Sequence, residues 1–365
     1  MSGTVVASTL EVRKDEWGKT RVIADELDTT LGEGEVLLAV DRQALTANNI
    51  SYANAGDSLG YWRFFPAADG WGRIPAMGWA DVCASRHPQI AAGERVWGFF
   101  PISTHLKILA GNVTAQGFSD LSAHREGLSP FYARFDRAAA HPLYEPERED
   151  QDSLLRGLFM TSWLVEDFLH VNQSFDAGSC LITSASSKTS IALAWCVRQR
   201  GQLASVGLTS PDNATFCESL GCYDRVLTYP QLTNLDSSVP AVVVDMAGST
   251  PILSALHHHY RDNMRYSCRI GATHQESFAP MPEMPGAVPE FFFAPTHLQT
   301  RSAELGAAAF GAQQGSAYAA FRRFCDNWLH IERSYGPEAT EAVYQQVLAG
   351  KVDPASGQIV SMCAR

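Results

Sequence analysis

Six consecutive residues, Ser184-Ala185-Ser186-Ser187-Lys188-Thr189, have types and spacing that could do chemistry. They lie between an expected strand at 180–184 and a helix expected from about Thr189. A loop so placed offers backbone N–H groups at a helix N-terminus, which suits a pyrophosphate. Small Ser and Ala side chains let the backbone come close. Ser186, Ser187 and Thr189 add hydroxyl donors, and Lys188 adds a positive charge. The same residues also describe a serine-rich turn that caps a helix, with Lys188 exposed. The next expected strand ends Val206-Gly207-Leu208-Thr209-Ser210, with no acid before Asp212. A carboxylate at that strand end would bond a ribose 2′-hydroxyl. Hydroxyls at Thr209 and Ser210 suit a 2′-phosphate better, so NADPH is expected over NADH. Alternatively, the two residues only begin a turn before Pro211.

Other chemistries find less support. His257-His258-His259 is the single histidine run. Consecutive helical side chains point about 100° apart, so the three cannot converge on one metal, and the run reads as a solvated helix face. The eight cysteines are scattered without C-x-x-C spacing and read as buried free thiols. No G-x-S-x-G elbow marks an acyl-transfer nucleophile. The net charge of −11 argues against nucleic acid or an anionic membrane as partner. No apolar run approaches the roughly 18–20 residues that span a bilayer. The start, MSGTVVASTLEVRKDEW, lacks the pattern of a signal peptide, so a cytoplasmic protein is expected.

These residues need elements to hold them. A chain of 365 residues suggests two domains. Residues 4–12, 35–41, 95–101 and 105–109 read as strands of an irregular β domain, with a Gly-, Pro- and aromatic-rich loop at 56–79. From 151 the pattern changes to a helix at 151–171. Strands at 180–184, 203–207, 225–228, 241–245 and 267–270 then alternate with helices at 190–199, 212–220 and 251–260. That alternation predicts a doubly wound parallel sheet. Residues 275–300 are Pro- and aromatic-rich. Helices at 315–330 and 337–349 and a strand at 357–362 complete the chain.

This order resembles the medium-chain dehydrogenase/reductase superfamily. The matching stretches are LGEGEVLLAVDRQALTANN, GERVWGF, SVGLTSPDNATFCESLGCYDRVLTY, VVVDMAGS and CRIGATH. Within it the chain is similar to the DUF2855 family at LTANNISYANAGD, YWRFFPA, LFMTSWLVEDFL, ITSASSKTSIALA and FFFAPTHL, a likeness over nearly the whole chain. The resemblance implies an α/β protein with a GroES-like β domain at 1–145 and 312–365. A Rossmann-type dinucleotide-binding domain would occupy 146–311. It brings a cofactor but no established substrate.

The resemblance also implies site residues. Zinc-dependent relatives carry Gly-His-Glu where this chain reads Gly78-Trp79-Ala80, no cysteine precedes it, and a four-cysteine lobe is absent; the chain is similar to the zinc-independent branch, with no metal. Tyr229 falls where quinone-reductase-like members place a tyrosine near the 2′-phosphate, although Asn213 stands where they carry lysine. Thr161, Gly271 and Phe293 join the expected cofactor contacts. Residues 46–52 occupy the segment that approaches the nicotinamide. Tyr52 is the candidate proton donor there, and Asn49 could hold the substrate oxygen. Aromatic packing is the other reading of Tyr52. Tyr61, Trp62, Phe64, Phe65, Trp71 and Trp79 would wall an apolar pocket, or simply fill a core. The implied activity is reduction of a carbonyl or activated alkene of a small molecule, with hydride from NADPH and a proton from Tyr52 or water. Two rivals stay open: non-redox chemistry on the same scaffold, such as C–C cleavage or isomerisation, and NADPH binding without turnover. Relatives commonly form homodimers.

Overall fold

The computed structural model describes residues 3–246, 248–270 and 282–364. The chain divides into two units, Met1–Leu154 with His330–Arg365, and Leu155–Leu329. The sequence reading put the division at 145/146 and 311/312. Two sets of contacts explain the difference. Glu149 and Asp150 stay with the first unit because Arg95 Nε donates to Glu149 at 2.9 Å, and Arg42 and Arg333 bond Asp150 at 3.2 and 2.6 Å. The helix Ala307–Cys325 stays with the second unit because Phe321 stacks on Phe159 (5.0 Å between ring centroids) and meets Trp195 at 5.6 Å.

The second unit holds six strands: β1 (Ser179–Ile182), β2 (Ala204–Thr209), β3 (Arg225–Thr228), β4 (Ala241–Asp245), β5 (Met264–Arg269) and β6 (Pro289–Phe291). Their order is β3-β2-β1-β4-β5-β6, and every neighbouring pair is parallel. The chain therefore winds outward from β1 to β3, returns, and winds the other way from β4. The reversal leaves a crevice between the C-terminal ends of β1 and β4, where open α/β sheets bind ligands. β4 is buried at every residue, as its unbroken apolar run requires with both faces covered. The helix Lys188–Arg200 starts on the Ser187 cap and stops at Gly201, whose φ of 70° is left-handed; Arg198 and Arg200 complement its C-terminal dipole. The expected helix at 212–220 is shorter: a 3₁₀ turn, Pro211–Asn213, leads into Ala214–Ser219.

In the first unit, Thr4–Arg13 pairs antiparallel with Thr20–Asp28. A larger sheet closes on itself. Glu35–Leu45 pairs on one side with Pro75–Ser85 and on the other with His105–Thr114, and Arg95–Pro101, Arg134–Arg137 and Gly117–Asp120 complete the circuit. Val36, Leu38, Val82, Phe100, Phe118 and Phe135 fill its core. The end of the chain rejoins this sheet: Ser356–Ser361 pairs with Glu35–Leu45 and, parallel, with His330–Tyr335. The sequence reading ends a helix at 330 and assigns no element to 331–335, where this strand runs. No described helix is long and apolar enough to cross a membrane.

Candidate functional site

The 184–189 loop sits at the C-terminal end of β1, and its own hydrogen bonds fix its shape. Ser184 has φ of 49°, the left-handed region that usually calls for glycine. Its N–H donates to the Tyr229 hydroxyl at 3.1 Å. Ala185 is fully buried; its N–H donates to the Leu208 carbonyl at 3.0 Å, and its carbonyl accepts from Tyr223 Oη at 2.7 Å. Gly207 makes that packing possible. A Cβ there would lie 2.8 Å from the Tyr223 ring and 3.0 Å from the Ala185 methyl. Gly207 is thus a spacer beneath the loop.

The hydroxyls divide into two groups. Ser187 Oγ accepts from Ser190 N–H (3.1 Å) and donates to Ser190 Oγ (2.8 Å), which in turn donates to the Thr183 carbonyl (2.8 Å). Ser187 is therefore a helix cap whose hydroxyl is consumed internally, and not a phosphate donor as the sequence suggested. Ser186 Oγ accepts from Asn213 Nδ2 at 3.1 Å and keeps its own proton. Thr189 contributes its carbonyl to Ser162 Oγ at 2.7 Å. Among the described residues no hydrogen bond takes the N–H of Ser186 or Thr189. Two amides, the Ser186 hydroxyl and the Lys188 charge at one helix start form a donor set that fits a diphosphate.

At the end of β2 the sequence reading is corrected in part. Thr209 is buried beneath the strand end, which leaves Ser210 as the more accessible of the two hydroxyls. Ser210 is half-buried and makes no side-chain cap bond at the following turn. Tyr229 is half-buried, and its oxygen accepts from the loop, which leaves its phenol proton for another acceptor. Asn213 ties the ends of β1 and β2 together through Ser186.

The crevice between β1 and β4 is braced by residues that sequence reasoning passed over. Thr183 Oγ1 donates to Asp245 Oδ1 at 2.7 Å and accepts from Met246 N–H at 3.0 Å. On the helix Glu149–Val171, Thr161 bonds back to the Gly157 carbonyl, while its neighbour Ser162 reaches Thr189. Phe293 follows β6 as the N-cap of the helix Ala294–Leu305. One turn on, His297 Nε2 and Arg301 Nε both donate to the buried Asp167 carboxylate at 2.8 Å. Gly271 lies outside the described residues.

In the first unit, residues 47–54 form a helix capped by Thr46. Asn49 is buried and occupied. Its Oδ1 accepts from Thr46 N–H at 2.7 Å and its Nδ2 donates to the Pro75 carbonyl at 2.8 Å. Both partners are backbone groups, so the amide's observed work is to hold the helix start. Tyr52 lies inside a cluster with Tyr61, Phe64, Phe65, Phe99 and Tyr132. Burial pushes its phenol well above the ordinary tyrosine value. The six aromatics expected to wall one pocket are dispersed. Tyr61, Phe64 and Phe65 join Tyr52, Trp62 packs with Ile50 and Tyr344, Trp79 packs with Trp97, and Trp71 lies under Arg21 at 3.9 Å.

Gly78 and Trp79 are strand residues of the closed sheet, and Trp79 Nε1 donates to the Glu149 carbonyl at 3.0 Å. Among the described residues no group of three or more His, Cys, Asp or Glu could hold a metal. Cys83 and Cys363 are exposed and the other six thiols are buried, so the expectation of buried thiols holds for six. His257 is fully buried between the Pro285 carbonyl (2.8 Å) and Ser267 Oγ (2.9 Å), which corrects its reading as part of a solvated face.

A closed β unit together with a parallel sheet in the order 3-2-1-4-5-6 defines the fold of the medium-chain dehydrogenase/reductases. Solved structures share it. CurA from Vibrio vulnificus in complex with NADPH is 12% identical, with a TM-score of 0.63 over 98% of this chain and 100% of that one. A mutant enoyl thioester reductase from Candida tropicalis is 12% identical, with a TM-score of 0.58 over 98% and 100%. A putative NADPH:quinone reductase from Mesorhizobium loti is 13% identical, with a TM-score of 0.62 over 99% and 100%. At such identities the likeness is one of fold. No curated protein matches the sequence. The family profile described as "Protein of unknown function (DUF2855)" matches residues 43–353, and the chain belongs to that family.

Proposed function

We propose that the protein is an NADPH-dependent reductase of a carbonyl or activated alkene in a small organic molecule. One observation carries the reading: the donor set of the 184–189 loop opens at the β1/β4 switch point of a complete 3-2-1-4-5-6 sheet. Ser186, Thr189 and Lys188 would hold the pyrophosphate. Ser210 and the Tyr229 phenol proton would meet the 2′-phosphate, in a site without an acid at the end of β2. Thr161 and Phe293 would border the nicotinamide. When bound, NADPH supplies the hydride. The chain's own part is to grip the nucleotide and deliver a proton from the phenol cluster that contains Tyr52; Asn49 positions the helix that carries that phenol. The complex of CurA with NADPH and the names of the enoyl thioester and quinone reductases support cofactor and reaction class.

Titration calorimetry tests the reading. NADPH is expected to bind at least about tenfold tighter than NADH, a difference of about 1.4 kcal/mol. Lys188→Ala should weaken both. Absence of any nucleotide binding overturns it, and tight binding without oxidation across carbonyls and enones would make the protein a nucleotide-holding one. The same reading includes a homodimer, supported by the edge position of β6 with Val288 and Phe291 exposed beside it. Light scattering should return twice the chain mass.

A further inference from the structure

One peptide unit just past the C-terminal end of β1 is held at both of its polar atoms. The carbonyl of Thr183 accepts from Ser190 Oγ at 2.8 Å, and the N–H of the next residue, Ser184, donates to the Tyr229 hydroxyl at 3.1 Å. The rest of Thr183 is held as well. Its Oγ1 accepts from Met246 N–H at 3.0 Å; a backbone N–H can only donate, so the hydroxyl proton goes to Asp245 Oδ1, at 2.7 Å. The Thr183 N–H donates to the Val244 carbonyl at 3.1 Å. Every polar group of Thr183 is thus engaged. Thr183, Ser190 and Asp245 are 2%, 0% and 1% exposed. Their bonds join the end of β1, the end of β4 and the first turn of the helix Lys188–Arg200. Ser190 Oγ also accepts from the Ser187 cap hydroxyl at 2.8 Å, which extends the chain of bonds into the loop.

We infer that Thr183 is the positioning residue of the nucleotide site, and that Asp245 and Ser190 act through it. This role deepens the reductase reading and rests on its cofactor. The chain turns sharply at Ser184, whose φ is 49°, so the plane of the preceding peptide sets the direction the loop takes. Rotation of that peptide would redirect the amides of Ser186 and Thr189, which a diphosphate needs in one fixed arrangement. Anchors on both its carbonyl and its N–H, with a hydroxyl tied across to β4, oppose the rotation. Threonine suits the place on two counts. Its branched Cβ restricts χ1, which keeps the hydroxyl aimed at Asp245. A bond from a hydroxyl to a buried carboxylate is also stronger than one between neutral groups. Valine has nearly the same shape and can make neither side-chain bond. Because Thr183, Asp245 and Ser190 are all covered, they hold the loop that grips the nucleotide and do not touch the ligand themselves.

The test uses full-length protein with Thr183→Val, Thr183→Ser, Ser190→Ala and the Thr183→Val/Ser190→Ala double variant. Calorimetry with NADPH, and with 2′-AMP, which has no diphosphate, reads the two ends of the site separately. Thr183→Val should weaken NADPH by about tenfold and leave 2′-AMP within about twofold, and Thr183→Ser should restore NADPH. Ser190→Ala should weaken NADPH by a similar factor. The double variant should lose little more than either single one, instead of the roughly 100-fold that independent sites would give. Parent-like NADPH affinity in Thr183→Val, an equal loss of 2′-AMP, no recovery in Thr183→Ser, or a multiplicative double variant each overturns the inference. Amide hydrogen exchange needs no nucleotide. In Thr183→Val the Met246 N–H loses its acceptor, and the Ser190 N–H, held by Ser187, should exchange faster along with it. An unchanged Ser190 amide overturns the coupling. Should Thr183→Val fail to fold, Ser190→Ala runs the same test from the other end, with faster exchange expected at Met246. A parent protein that binds neither NADPH nor 2′-AMP defeats the reductase reading, while exchange still judges the role of Thr183.

Discussion

The backbone N–H of Ser184 donates to the hydroxyl of Tyr229 at 3.1 Å, across the C-terminal ends of β1 and β3. This bond holds a serine at φ of 49°, a conformation that glycine adopts without steric cost. A non-glycine residue there costs about 1 kcal/mol, which the Tyr229 bond offsets by a similar amount.

Tyr229→Phe should therefore cost about 1 kcal/mol of stability and weaken NADPH binding several-fold, since it loosens the loop and removes a donor for the 2′-phosphate. Ser184→Gly in that background should recover stability but not the preference for NADPH over NADH. Urea unfolding and calorimetry of the single and double variants measure the two effects separately. Recovery of both would assign Tyr229 to the loop's conformation alone.

Gly207→Ala is the corresponding test from below the loop. Its methyl would press on Tyr223 and Ala185 at 2.8 and 3.0 Å in a buried site. Overpacking of this kind costs about 1–3 kcal/mol. Since Ala185 is displaced, nucleotide affinity should fall as well. A variant as stable as the parent would mean the strand shifts freely, contrary to the tight contacts observed.

Asn49→Ala separates a structural amide from a catalytic one. It removes the Thr46 N–H acceptor and strands the buried Pro75 carbonyl, so stability should drop by about 1–3 kcal/mol. Below the unfolding temperature kcat should fall only modestly. A kcat collapse with unchanged stability would instead return Asn49 to the substrate oxygen.

The contrast between Asn49 and Thr209 shows what was legible in the sequence. Periodicity found the parallel sheet because AVVVD and its neighbours are buried on both faces. It missed β6, a three-residue edge strand in a Pro-rich stretch, and His330–Tyr335, whose residues are all half-buried or exposed and carry no apolar alternation. Type and position also located the 184–189 loop. They could not say which hydroxyls remain available. Ser187 and Thr209 have the same chemistry as Ser186 and Ser210, yet one caps a helix and the other is buried. Partners of that kind come from the packing of distant segments. The Thr183–Asp245 brace, 62 residues apart in the chain, is invisible for the same reason.

Asp167 gives the protein an acid-sensitive point. Burial alone would raise its carboxyl, but the bonds from His297 and Arg301 outweigh it and hold the value below the ordinary one. A carboxyl depressed in the folded state contributes stability above its unfolded value, about 3.9, and loses it as pH falls through the folded one. Asp167→Asn should thus cost about 1.5–3 kcal/mol near neutral pH and progressively less below about pH 4. Unfolding midpoints of both proteins across that range measure the convergence; parallel curves would show that Asp167 is not depressed.

Gln173, Ser174, Phe175 and Asp176 run consecutively at φ of 52°, 50°, 54° and 56°, a left-handed turn without a single glycine. Each residue costs about 1–2 kcal/mol in that region, so something must hold the turn. The Phe175 ring stacks on Tyr266 of β5 at 4.3 Å and 4°, and Phe168 flanks both at 6.0 and 5.5 Å. Phe175→Ala removes the stack and should cost about 2–3 kcal/mol, less than a fully buried phenylalanine because this ring is half-buried. Gln173 is exposed, so Gln173→Gly relieves strain without losing a contact and should gain up to about 1 kcal/mol. Hydrogen exchange distinguishes a local from a global effect. In Phe175→Ala the amides of 172–178 should exchange faster while those of β4 keep their protection, because the turn lies ahead of β1 and contributes no hydrogen bond to the sheet centre. Equal loss of protection at β4 would make the aromatic stack a support of the whole parallel sheet.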